Sequence, residues 1–223
     1  MKRMLKFFVV IVGVLCIVTG AHAAEKMKTS GFLEDYSGFK PGPKGGADWV
    51  YIKDGVDFAK YNKVIFDQVT FFLKEDAKYK GIKPEDINEL TEAFNNAVRE
   101  NIGKSYSLVD TPGPDTLRIR VSLTDIVPSK PGMSVVSTVM PIGLGISLIK
   151  KAATGKHTGV GETSMEMEIL DSQTNERIAA AIDMYSGGKL SGMKKWGSAE
   201  EAFKFWTERL RTRLDEYHGK KQQ

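Results

Sequence analysis

The sequence predicts an α+β domain: an antiparallel sheet of about four to five strands with two main helices packed on one face, in the order β-α-β-β-(apolar insertion)-β-β-α. Three observations predict it. Apolar and polar residues alternate along 117–126, 164–169 and 178–184, the mark of strands with one buried and one wet face. Apolar residues recur at helical spacing along 84–102 and again along 198–217. The polar run Asp171-Ser172-Gln173-Thr174-Asn175-Glu176 joins two of the strands as a hairpin loop would.

The first 23 residues stand apart. A cationic head (Lys2, Arg3, Lys6) precedes an apolar run to Val18 and then Ala21-His22-Ala23. This is the pattern of a secretory signal cleaved after Ala23. Residues 24–60 follow as an extended arm, dense in Gly and Pro between Ser37 and Gly46, with Phe32, Leu33, Tyr36, Trp49 and Tyr51 available to pin it to a domain. A single domain then spans 61–218, with a polar tail at 219–223.

Within the domain, Val64–Leu73 is rich in β-branched and aromatic residues and predicts a strand. Pro84 suits a first helical position, and Glu85 and Asp86 suit the positive end of a helix dipole. Ile87, Leu90, Phe94, Val98 and Ile102 form the stripe of that helix, and Gly103 ends it. Tyr106–Val109 precedes a turn at Thr111-Pro112-Gly113-Pro114-Asp115. In the strand Leu117–Ile126, Leu117, Ile119, Val121 and Leu123 alternate with Arg118, Arg120, Ser122 and Thr124. Met165, Met167 and Ile169 alternate with Ser164, Glu166 and Glu168, and Ile178, Ala180, Ile182 and Met184 repeat the pattern. Ser198-Ala199-Glu200-Glu201 reads as a capping box for a last helix with Ala202, Phe203, Trp206, Leu210, Leu214 and Tyr217 inward.

Composition excludes several functions. Removing Lys2, Arg3 and Lys6 with the signal takes the 32 basic residues to 29, against 28 acids. That near balance, with no basic stripe interleaved with aromatics, argues against nucleic acid as a partner. Cys16 is the sole cysteine and falls inside the signal, so disulfides, thiol nucleophiles and Cys-ligated zinc are excluded from the mature chain. His157 and His218 have no second histidine at ligand spacing, and no metal is expected. Neither a Gly-x-Ser-x-Gly elbow nor a complete phosphate loop occurs, and no cofactor is implied. Glu166 and Glu168 share one face of their strand, and such paired carboxylates suit acid–base work. Arg118 and Arg120 on the preceding long strand are their expected cross-strand partners.

The segment 131–151 is the insertion. Nineteen residues from Pro131 to Ile149 carry no charge. Val135, Val136, Val139, Met140, Ile142, Leu144, Ile146 and Leu148 are the candidate interaction residues. Pro141, Gly143 and Gly145 disfavour one regular helix through them. Such a set must be covered by the domain, by a partner or by lipid.

Several strings together resemble the DUF3313 family of bacterial envelope lipoproteins. They are Ser30-Gly31-Phe32-Leu33-Glu34-Asp35-Tyr36-Ser37, Tyr61-Asn62-Lys63-Val64, and Asp110–Leu117 running into Leu123-Thr124-Asp125. Glu166-x-Glu168, Asp171-Ser172-x-Thr174 and Trp196 fit as well. The resemblance implies export to the envelope and brings no catalytic residues. The chain departs from it at Cys16, which follows Leu15 rather than a small residue and so is no acceptor for lipid.

The expected protein is therefore periplasmic and non-enzymatic, and meets another envelope protein or a membrane surface through the apolar segment. Association with the outer membrane and the oligomeric state stay open. A carrier for a small apolar ligand is the alternative, and an envelope hydrolase using Glu166 or Glu168 the third choice. An apolar cavity of more than ~300 Å³ beside the insertion would favour the carrier.

Overall fold

The structure is a computed structural model that describes residues 27–73, 75, 79, 82–129, 161–188 and 194–219. The signal segment, the apolar residues from Val135 to Leu148, and His157 lie outside the described residues. In chain order the elements are β1 (Lys40–Pro41), β2 (Trp49–Ile52), a 3-10 turn (Phe58–Lys60), β3 (Lys63–Phe66), β4 (Thr70–Phe71), α1 (Pro84–Asn101), β5 (Ser107–Leu108), β6 (Thr116–Val127), β7 (Glu162–Asp171), β8 (Arg177–Ser186) and α2 (Gly197–Tyr217).

The fold is α+β, but among the described residues its sheet has eight strands, not four to five, in the order β1-β2-β8-β7-β6-β3-β5, with β4 also on β6. The central three are the long alternating ones and pair antiparallel, with Val121 opposite Met167 and Met167 opposite Ala181. The added strands are two to four residues long. Alternation cannot be read over so few residues. The sheet is also mixed, since β3 and β4 run parallel to β6, and β5 parallel to β3. Parallel pairing needs a crossover, and α1 supplies it between β4 and β6.

One predicted strand is broken. Val64–Leu73 divides into β3 and β4: the register on β6 slips by one residue between Phe66 opposite Ile119 and Thr70 opposite Ser122, and there Asp67 turns its carboxylate to Arg118 Nε at 3.0 and 3.1 Å. The hairpin at 171–176 forms as predicted. Asp171 Oδ1 accepts from Gln173 N and Thr174 N, and Asn175 takes a left-handed φ of 56°.

Both helices lie on one face. Leu90, Phe94 and Val98 of α1 and Phe203, Trp206, Leu210 and Leu214 of α2 bury against Leu117, Ile119, Val121 and Leu123 of β6. Phe94 and Phe203 meet edge to face at 5.4 Å. Ile87 departs from its stripe and is 36% exposed. The Ser198–Glu201 capping box does not form. Trp196 is the N-cap, while Ser198 Oγ lies 3.0 Å from Ser129 Oγ and Glu201 accepts from Gly188 N at 2.9 Å. Both side chains serve the strand ends instead.

The opposite face was expected to be wet. It is not: Leu33 is 1% exposed and packs with Ala180 and Ile182 beneath Phe32, Tyr36, Trp49 and Tyr51. The N-terminal arm thus covers the second face, pinned by the aromatic residues that the sequence singles out. A bulge opposite Ile169 and Leu170 shifts β8. It sends Ile178 to the helix side and leaves Ala180 and Ile182 under the arm.

Candidate functional site

The roots of the apolar insertion are visible although its candidate residues are not described. Gly161 N lies 3.2 Å from Ser129 Oγ and 3.1 Å from Ser198 Oγ. A Cβ on Gly161 would sit 2.3 Å from the Val127 carbonyl, so the close approach requires glycine. These contacts bring residues 129 and 161 together at the start of α2.

The carboxylate pair occupies the covered face. Glu166 is 0% exposed. Its Oε1 accepts from Ser30 N at 2.6 Å and its Oε2 from the Tyr36 hydroxyl at 2.7 Å. Burial, then the hydrogen bond to Glu166, raises the Tyr36 pKa, which keeps the phenol a donor. The Tyr36 oxygen also accepts from Gly31 N at 2.8 Å. Glu168 sits between Arg120, whose Nη1 reaches Oε1, and Arg177, whose Nε is 2.9 Å from Oε2. Arg177 then donates to the carbonyls of Leu33 and Asp35. The register places Arg120 opposite Glu168 as expected, but Glu166 opposite Ser122 and Arg118 opposite Leu170.

A polar hollow of about 650 Å³ opens on this face between Phe32, Asp67, Arg118, Arg120, Glu168 and Arg177. Each of its arginines already holds a carboxylate: Arg118 that of Asp67, and Arg120 and Arg177 that of Glu168. The strings that carry the family resemblance thus meet in space as clasps. The 30–37 string closes on Glu166-x-Glu168. Tyr61 Oη donates to Asp171 at 2.7 Å, Asn62 N to the Asp115 carbonyl at 3.0 Å, and Ser172 Oγ to the Gly113 carbonyl at 3.0 Å.

A second hollow was not expected from the sequence. An apolar cavity of about 300 Å³ lies between α2 and the edge of the sheet formed by β2 and β8. Its floor includes Met165, Met167, Ala179 and Ala181, its roof Trp206, Leu210 and Leu214, and its wall Val50 and Ile52. Two alanines facing a helix leave space that larger side chains would fill. That pair, in the run Ala179–Ala181, is the signal that could have revealed it. One side is closed by a clamp: Asp183 accepts from Trp206 Nε1 at 2.7 Å and Arg209 Nη2 at 2.6 Å, and Arg209 Nη1 donates to the Gly46 carbonyl at 2.8 Å. The cavity lies along the later turns of α2, away from the roots of the insertion near Ser198.

His218 is half-buried rather than free in solvent. Its Nδ1 lies 2.7 Å from the Leu214 carbonyl and 3.3 Å from Tyr106 Oη. Tyr106 in turn donates to Asp215 at 2.9 Å. Burial, then that hydrogen bond, raises the tyrosine's pKa strongly. Among the described residues no group of three or more His, Cys, Asp or Glu could hold a metal ion, and no helix is long and apolar enough to cross a membrane.

Comparison with known proteins gives a consistent family and little function. The model of a family described as a protein of unknown function, DUF3313, matches residues 28–210. The uncharacterized lipoprotein YdcL of Escherichia coli (strain K12) is 26% identical over 167 residues, covering 74% of this chain and 73% of that relative. Among solved structures, the PelC dodecamer from Paraburkholderia phytofirmans is similar over 73% of this chain and 96% of its own, at 14% identity and a TM-score of 0.40. The hypothetical protein CT253 from Chlamydia trachomatis is similar over 69% of this chain and 98% of its own, at 10% identity and a TM-score of 0.43.

Proposed function

The chain belongs to the DUF3313 family, and on that premise we propose that it is a non-enzymatic protein of the bacterial envelope, exported to the periplasm, that acts by binding. The observation that carries this reading is the use made of Glu166 and Glu168. The carboxylates best placed by sequence for acid–base work are bound to Ser30, Tyr36, Arg120 and Arg177. A catalytic carboxylate must reach a substrate proton, and Glu166 is 0% exposed. The likeness to a relative named as a lipoprotein supports an envelope setting.

The contact surface in this reading is the uncharged sequence 131–149, which meets another envelope protein or the membrane surface. Asp placed at Val139 or Leu144 tests it. The expected result is a variant that melts normally but loses its assembly state or its membrane association. A variant that melts normally, keeps both and complements a deletion overturns the reading.

A second reading is favoured by the cavity. A void of about 300 Å³ with an apolar lining sits at the lower end of the size range of ligand pockets. In this reading the protein carries a small apolar ligand between α2 and the sheet. Ala181→Leu separates the two readings, since it fills the cavity and removes ligand binding while leaving the sequence 131–149 unaltered.

A further inference from the structure

Resting on the carrier reading, we propose that the cavity between α2 and the sheet binds a single-chain anionic amphiphile of the fatty-acid class, with the alkyl tail inside and the carboxylate on Arg213. The tail follows from the lining. Met165, Met167, Ala179, Ala181, Trp206 and Leu210 offer a water few polar partners, and an apolar cavity of this kind stays dry or takes an apolar guest. A cavity of about 150 Å³ holds one benzene ring, so this one matches a chain of about ten carbons.

The head follows from the mouth. The exposed lining residues are Pro43, at the Gly46 end, and Ile52, Arg213, Glu216 and Tyr217; the last three place an opening along the last turns of α2. Two arginines stand there one turn apart, and they are not equivalent. Arg209 is committed to the buried Asp183 and to the Gly46 carbonyl. Arg213 bonds Glu216 at 2.7 Å, with both side chains nearly half exposed. Such an exposed pair contributes little to stability, so an incoming carboxylate can replace Glu216. A guanidinium holds a carboxylate through two parallel hydrogen bonds. A neutral alcohol of the same chain length gains the tail contacts alone.

The test is a calorimetric titration of the purified exported protein with decanoate and, separately, decanol at pH 8. Decanoate is expected to bind roughly tenfold more tightly than decanol. Arg213→Gln should remove that preference and leave decanol unchanged, while Glu216→Gln should strengthen decanoate alone. Ala181→Leu, or Ala179→Leu should the first fail to fold, should block both ligands. Equal affinities in the unaltered protein, or a preference that survives Arg213→Gln, overturn the assignment of the head while the carrier reading stands. Failure of both ligands to bind overturns the carrier reading with it. Binding that survives either leucine variant in folded form places the ligand elsewhere and overturns the proposal.

Discussion

The hydroxyl of Tyr36 donates to the carboxylate of Glu166 at 2.7 Å, joining residues 130 positions apart and fastening the N-terminal arm over the second face of the sheet. Tyr36→Phe removes this donor and leaves one oxygen of a buried carboxylate without a partner. The cost is about 1–3 kcal/mol, and it falls on the arm, whose other anchors are Ser30 N on Glu166, Arg177 on the Leu33 and Asp35 carbonyls, and the apolar packing around Leu33. Trypsin should therefore cleave faster after the exposed Lys44, with a smaller change in the melting of the whole domain. An unchanged cleavage rate would show that Leu33 and its neighbours, with Ser30 and Arg177, hold the arm without Tyr36.

Asp86 links the starts of the two helices. Its carboxylate accepts from Lys195 Nζ at 2.7 and 2.8 Å, from Trp196 Nε1 at 2.9 Å and from Lys83 N at 3.2 Å. Burial pushes its pKa up, but these hydrogen bonds outweigh burial and lower it. Asp86→Ala leaves the Trp196 N–H buried and unpaired, at about 2–3 kcal/mol. Global melting should fall by about 5–10 °C. A thermal scan that shows no shift would mean that Trp196 finds another acceptor.

Asp171 gives the fold a dependence on acid. Burial works against its carboxylate, but Tyr61 Oη, Thr174 N, Gln173 N and Lys60 Nζ outweigh it and lower the pKa from 3.8 to about 2. A carboxyl with a depressed folded pKa stabilises the fold above its unfolded pKa, and that stability is lost as pH falls through the folded value. Asp171→Asn should melt below the unaltered protein at pH 7. The gap should close as pH falls through the window from about 4 to about 2. A gap independent of pH would assign the effect to turn geometry alone.

The cavity makes a prediction that needs no ligand. Ala181→Leu places a larger apolar side chain where Met167 and Val50 flank an unfilled space. Filling a void of this kind stabilises by about 0.5–2 kcal/mol, whereas the same change in a packed core costs about 1–3 kcal/mol. The melting temperature in the absence of ligand should rise. A fall would show that the space between α2 and β8 is already packed.

Much of the frame was legible before any coordinates. The long strands β6, β7 and β8 run ten to twelve residues and alternate over six to ten of them, and α1 carries four of its five predicted stripe residues inward, counting its C-cap Ile102. The hairpin at 171–176 announced itself by its polar run. Short strands did not, because two to four residues carry no period. Nor did the fate of Ser198: a serine before a glutamate reads as a cap, yet here it bonds Ser129, a partner 69 positions away.

The sequence by itself determined the α+β class, the three alternating strands, the family and the aromatic anchors of the arm, because each is written in local spacing or in contiguous strings. Tertiary structure alone decided that the second sheet face is covered, that Glu166 belongs to the arm and Glu168 to two arginines, and that a space remains over Ala179 and Ala181. Each of those depends on which distant segment comes to lie across a given side chain. Period, composition and spacing describe a residue's neighbours in the chain, whereas burial and pairing are set by its neighbours in space.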